Sequence, residues 1–332
     1  MAPVSRRDAL LWTLAGAASA AGCAPSRTAP IGAGGEGAVR RTAPYVPFDV
    51  TWMIRPAHGR KYLGAGFPGT TVPTGALDAW TAKAGKAPNL LSCRLAWGET
   101  FRTDEVRAVF GRGILPYVVW EPWHRTLREI ADGRDDDYVR RTAQSVRDLN
   151  VPVALAFAQE MNGGRYPWGS RRATPGEFVG AWRRIHDVFQ DTGVSDVIWV
   201  WSPSAADAVK GARLEPYYPG DAYADWLGLV GYYTGHGPHT FGTLFGPAVE
   251  QVRAFTRIPV LVAETASAAG GRKAADIRDL VRGVTGRRDV VGFLWFDAHT
   301  ETDWRIDSGP AALTAFRRGV ADPRFGFDVR HP

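Results

Sequence analysis

From residue 61 onward the chain alternates between two hydrophobic rhythms. Short, nearly continuous apolar runs, most with Pro or Gly at an edge, fall at residues 61–66, 90–97, 114–120, 153–158, 197–201, 227–233, 260–263 and 290–296. Stretches with helical periodicity lie between them, at 136–149, 175–192, 243–255, 273–284 and 310–320. Strands that show no polar alternation are those covered on both faces, as parallel strands under helices are. Thr174-Pro175-Gly176-Glu177 opens one helix with a capping residue, a proline in the first turn and an early acid. Eight β/α alternations predict an α/β fold of the (β/α)8 TIM-barrel type rather than an open doubly wound sheet. No glycine-rich phosphate loop follows any early strand, which also counts against the open sheet.

The N-terminal segment follows a different pattern. Ser5-Arg6-Arg7-Asp8-Ala9-Leu10-Leu11 carries a twin arginine, followed by an uncharged apolar stretch from 9 to 22. That stretch is too short and too rich in Ala and Gly to span a bilayer well, so residues 1–23 are expected to be a Tat-type signal peptide. Ala20-Ala21-Gly22-Cys23 resembles a lipobox, with Cys23 as the lipidated residue of a bacterial lipoprotein. Cleavage after Ser19-Ala20-Ala21, leaving a free secreted protein, is the other reading. Either places the mature protein outside the cytoplasm, with membrane contact through a lipid anchor alone. Residues 24–44, rich in Pro, Gly, Ala, Ser, Thr and Arg, cannot bury enough apolar surface to order themselves and are expected to be a flexible linker. Residues 45–332 remain, a length that suits one barrel domain.

Composition narrows the chemistry. Only Cys93 is left after the leader, so an intrachain disulfide and a thiolate zinc site are both excluded for the mature chain. The net charge of +6 comes from scattered lysines and arginines rather than from one basic helix or loop, which argues against a nucleic-acid partner. Thirteen tryptophans are many for 332 residues, and tryptophan serves both cores and sugar faces.

Two apolar runs end in glutamates: Val151 to Ala158 leads into Gln159-Glu160-Met161-Asn162-Gly163-Gly164, and Ile258 to Ala263 into Glu264-Thr265. A carboxylate delivered by a buried strand is costly unless paired or used. Two that converge suit glycosidic-bond cleavage, in which one protonates the leaving oxygen and the other attacks the sugar carbon or activates water. In a barrel, Glu160 after the fourth strand and Glu264 after the seventh share the C-terminal face.

The stretch from Glu160 to Gly169 resembles the acid/base motif of glycoside hydrolase family 26. Trp199-Val-Trp-Ser-Pro203, the run from Tyr217 to Trp226, Val262-Ala-Glu264 and the run from Asp303 to Ser308 resemble its other blocks, in order and spacing. The family consists of retaining (β/α)8 hydrolases, mostly endo-β-1,4-mannanases, with relatives that cut mixed-linkage glucan or β-1,3-xylan. The resemblance implies Glu160 as general acid/base, Glu264 as nucleophile, double displacement on a β-linked polysaccharide, and no cofactor. Three positions depart from the family: Gln159 stands for a histidine, Ala156 for an arginine and Val230 for an aspartate, all near the sugar that is cut. These departures fit an enzyme that trims the producer's own envelope or exopolysaccharide, or a carbohydrate-binding barrel without turnover, alongside the hydrolase reading.

Around the glutamates, Gln159 and Tyr232 are the expected hydrogen-bond donors. Trp168 and Trp295 match family aromatics near the cleft and are expected to contact substrate. Trp97 and Trp120 sit at strand ends as sugar platforms or as core, and Glu99 and Glu121 either bind sugar hydroxyls or hold structure. Asn162-Gly163-Gly164 is expected to need unusual backbone angles. His236, His239 and His299 lack tight ligand spacing, so no metal is expected. The partner is a polysaccharide or oligosaccharide, and the protein is expected to be a monomer.

Overall fold

Apolar runs covered on both faces close on themselves when each is followed by a helix, and the chain does this eight times. The computed structural model describes residues 46–331 apart from residues 70–73 and 238. The expected signal peptide, Cys23 and the linker at 24–44 lie outside the described residues. Strands β1 (Tyr62–Gly66), β2 (Leu90–Ala96), β3 (Leu115–Glu121), β4 (Val153–Phe157), β5 (Val197–Trp201), β6 (Trp226–Val230), β7 (Val260–Thr265) and β8 (Val290–Phe296) pair in parallel, in sequence order, into a closed barrel. The helices are α1 (Thr51–Ile54), α2 (Thr74–Ala84), α3 (Thr103–Gly111), α4 (Leu127–Ala131), α5 (Asp136–Leu149), α6 (Pro175–Asp191), α7 (Ala205–Val209), α8 (Phe241–Arg253), α9 (Lys273–Thr285) and α10 (Pro310–Val320). The fold is therefore the (β/α)8 barrel.

Every residue of β1, β3, β4, β5 and β6 is buried, because one face fills the barrel and the other lies under helices. Tyr117, Ala156, Ile198 and Leu261 belong to the inner core, while Leu155, Trp199, Val262 and Phe293 belong to the larger outer one. The capping box at Thr174 forms as expected, with its hydroxyl accepting from the Glu177 amide and Pro175 in the first turn of α6. α2 and α3 lack a clear signature in the sequence. Each hides only a short stripe, Leu77, Trp80 and Ala84 on one and Val106 and Val109 on the other.

The N-terminal end of the barrel is plugged. Tyr62 Oη donates to Met53 O at 2.9 Å, Trp226 Nε1 donates to Ile54 O at 2.9 Å, and the two rings meet edge to face at 5.3 Å. Among the described residues no helix is long and apolar enough to cross a membrane.

Candidate active site

At the end of β4 the backbone makes two left-handed steps, at Ala158 (φ 49°) and Glu160 (φ 54°). Each costs a non-glycine residue about 1–2 kcal/mol and persists only where its surroundings fix it. Here the Ala158 amide donates to Trp120 O (3.0 Å), the Glu160 amide to Ser202 O (2.7 Å), and Gln159 O accepts from Trp168 Nε1 (2.8 Å). Asn162 then clamps the loop to the end of β5: its Nδ2 donates to Ser204 O (2.9 Å) and its Oδ1 accepts from the Ser204 amide (2.7 Å). Asn162 does shape this loop, but the unusual angles fall before it, at 158 and 160, rather than at Gly163 and Gly164. Space is what demands glycine here. A Cβ at 163 would lie 2.6 Å from Asp207 Oδ2, and one at 169 would lie 2.2 Å from Gly163 O.

Glu264 arrives differently, as the penultimate residue of β7 rather than in the loop beyond it. β7 carries an extra residue there: Leu229 pairs with Val262, but the next residue, Val230, pairs with Glu264. A bulge of this kind re-aims the side chain that follows it.

Glu264 accepts from Arg94 Nη2 at 2.9 Å and from the Tyr232 hydroxyl. The same guanidinium holds Glu121 through Nη1 at 2.5 Å. Glu121 also accepts from Gln159 Nε2 (2.7 Å) and Trp123 Nε1 (3.0 Å). Burial works against the charge of Arg94, but Glu264 and then Glu121 more than offset it, so the net direction of its pKa is upward. Burial, then the charge of Glu264, pushes the Tyr232 phenol up as well. Glu160 has the opposite surroundings. Its carboxyl is raised to about 7, first by burial and then by the negative charge of Glu264, with Arg165 opposing the shift. Two carboxyls thus sense one another at the C-terminal mouth, one favoured as the acid and the other supplied with cationic and phenolic donors.

Aromatic rings flank them. On one side Tyr166 stacks on Trp168 (4.6 Å, planes 6° apart) beside Trp123, and on the other Tyr232 packs against Trp304 (5.0 Å) and Phe296. Burial, then the charges of Glu160 and Glu264, pushes the Tyr166 phenol up to about 12.

A model of glycosyl hydrolase family 26 matches residues 131–282. Endoglucanase H of Acetivibrio thermocellus is 30% identical over 266 residues, which is 76% of this chain and 29% of that protein. The barrel is similar to glycosyl hydrolase family 26 across that range, and its likeness to this relative extends well beyond it. A mannan endo-1,4-beta-mannosidase of Thermothelomyces thermophilus is 30% identical over 106 residues, 32% of this chain and 20% of that protein. The chain therefore spans less than a third of the curated relatives it matches. Among solved structures, a modular endo-beta-1,4-mannanase from Cellulomonas fimi superposes with a TM-score of 0.65 at 18% identity, covering 82% of this chain and 73% of that one. At that identity the likeness concerns the fold.

The departures from the family pattern acquire a geometry. Position 156, where the resemblance calls for arginine, is a fully buried alanine, and Val230 is likewise apolar and buried. Arg94 pairs with Val119 and Val119 with Ala156, so an arginine stands in backbone register with position 156, two strands away. Gln159 is not a donor to either candidate catalytic carboxyl. It is buried, its amide nitrogen goes to Glu121, and its Oε1 has no partner among the described residues.

The tryptophan expectations need correction. Trp120 and Trp295 are fully buried, Trp120 against Phe157 and Phe189, and Trp295 against Phe316 with its Nε1 on Trp304 O. Trp168 is only 2% exposed, because Tyr166 covers its face. None of the three offers a sugar an open ring. Trp97 is half-buried, stacked on Trp120 at 4.7 Å and bonded to Asp135, so it braces the core. Glu99 caps the Ala96 amide and pairs with Arg102, which fixes the loop after β2. Glu121 resolves to its structural alternative. His236 and His299 are exposed, and among the described residues no group of three or more His, Cys, Asp or Glu side chains is placed to hold a metal ion. Cys93 is buried, and burial pushes its thiol up to about 12. Sequence reasoning missed Arg94, Tyr166, Trp123 and Trp304. Arg94 carried a signal as the one charge inside the second apolar run, and Tyr166 and Trp304 lie inside the blocks that resemble the family.

Proposed function

We propose that the barrel is a retaining glycoside hydrolase that cuts β-linked polysaccharide of the β-mannan or β-glucan type within the chain, by double displacement. The contrast between two neighbouring carboxyls carries this reading: Glu160 is raised to about 7, while Glu264 is met by Arg94 and Tyr232. Protonated Glu160 gives its proton to the leaving oxygen as Glu264 attacks the anomeric carbon, forming a glycosyl-enzyme. Glu160, now a carboxylate, takes a proton from the water that displaces Glu264. The names of the relatives, an endoglucanase and a mannan endo-1,4-beta-mannosidase, support the substrate class.

The test separates the two roles. Glu264→Ala should abolish turnover, because no glycosyl-enzyme can form. Glu160→Ala should lose most activity on natural glycans yet retain glycosylation of aryl glycosides with good leaving groups, and azide should then restore part of their turnover. Wild-type protein that binds oligosaccharide but hydrolyses none of β-mannan, β-glucan or β-xylan would favour the binding-barrel alternative. We further propose that the twin arginine at Arg6-Arg7 and the lipobox at Cys23 send the domain to the outer face of the bacterial membrane. Fractionation of cells expressing Cys23→Ser tests the anchor, since release from the membrane fraction is expected.

A further inference from the structure

The loop from β4 to α6 contains Arg165, Arg171 and Arg172 and no acidic residue between 161 and 173. All three arginines are exposed, and none forms an ion pair among the described residues. Glu160 opens this loop, and Asp207 on α7 faces it at Gly163. Arg165 is the most telling. Its guanidinium carbon lies 5.5 Å from the centre of the Tyr166 ring, which rests on buried Trp168. Arg171 lies along the backbone at Gly164, where an added Cβ would meet its Nε at 2.5 Å.

Three exposed cations with no ion-pair partner among the described residues thus line the loop that carries Glu160. Arg165 stabilises the ionised form of Glu160, while a leaving oxygen needs the protonated form. The arrangement becomes coherent when the substrate brings an anion that takes up the guanidinium charge, which also returns Glu160 toward its protonated state. Arginine suits such a partner, because its planar fork pairs with a carboxylate through two parallel hydrogen bonds. The leaving group is the sugar on the Glu160 side, so that is where the anion belongs.

Resting on the hydrolase reading above, we propose that the polysaccharide carries uronate carboxylates, and that Arg165, supported by Arg171 and Arg172, binds the carboxylate of the sugar on the leaving-group side. The experiment uses matched polymers: neutral mixed-linkage β-glucan and glucomannan, and the same chains with part of their C6 carbons oxidised to carboxylates. The wild-type protein should prefer the oxidised chains by about tenfold in kcat/KM, and the preference should fade in roughly 0.5 M salt. The alkaline limb of the pH profile should lie higher on the oxidised chains. Arg165→Gln should lower the preference by about fivefold or more, whereas Arg107→Gln, an equal loss of charge on the outer helix α3, should leave the ratio as it is. Affinity electrophoresis through each polymer gives a readout without turnover, with wild type retarded by the oxidised chains and Arg165→Gln less so. Equal rates and equal retardation on both polymers, or a preference that survives Arg165→Gln, would overturn the proposal. If neither polymer is cut, the hydrolase reading fails, and the electrophoresis still decides the charge preference.

Discussion

The guanidinium of Arg94 on β2 meets the carboxylate of Glu264 on β7 at 2.9 Å across the barrel mouth, although β1 and β8 separate the two strands. Glu121 holds the other arm of the same fork, so one cation stands between two acids at the wall of the site. Truncating the cation leaves two carboxylates without their counter-charge, a loss that costs several kcal/mol where charges are largely buried.

Arg94→Met should therefore lower kcat by about a hundredfold or more, since a misaligned nucleophile attacks poorly. Arg94→Lys should recover part of the rate, keeping the charge but losing the fork that reaches both acids. Steady-state kinetics on any glycan that the wild type cleaves decides the matter, with a melting curve to confirm folding. Wild-type kcat in Arg94→Met would mean that the ion pair is architectural only.

Glu160 supplies the second prediction. A general acid raised to about 7 is protonated below that pH and ionised above it, so turnover of unactivated glycans should fall as pH rises through about 7. Burial is the larger cause and the charge of Glu264 the next. Glu264→Gln should accordingly move the Glu160 titration down without returning it to the ordinary carboxylate range. Carboxyl carbon NMR on the two proteins reads this directly. An unchanged titration would show that the carboxyls do not sense one another.

How much of this the chain discloses depends on what a residue's own neighbours in sequence can encode. Eight apolar runs, their order and the two terminal glutamates are local patterns, and the barrel with Glu160 and Glu264 at its mouth follows from them. Which face of a strand end a tryptophan occupies is not local. Trp120 and Trp295 look like rim residues in sequence, yet the one-residue alternation of a strand turns them outward under the helices. Trp168 is hidden by its own loop, where Tyr166 folds over it and takes the exposed position. Arg94 was legible only as an anomaly, because its meaning depends on Glu264, which lies 170 residues away in sequence.

The last prediction lies at the opposite end of the barrel. Asp196 precedes β5, has no exposed surface, and among the described residues neither carboxylate oxygen meets a partner beyond its own backbone. Its backbone carbonyl accepts from the Val153 amide, a bond that does not depend on the side chain. Burial raises its carboxyl to about 6. A folded-state pKa above the unfolded one means that the native protein binds the proton more tightly, so the contribution to stability is whole below the unfolded value, about 4. That contribution is lost as pH rises through about 6, and above this range the buried charge weakens the fold by an amount on the order of 2–3 kcal/mol. Asp196→Asn, which cannot ionise, should melt several degrees above wild type at pH 8 and show little difference at pH 4. The informative quantity is the difference in Tm between the two proteins as a function of pH, since other titrating groups cancel from it. A difference that stays flat between pH 4 and pH 8 would show that the Asp196 charge finds a compensating partner in the folded state.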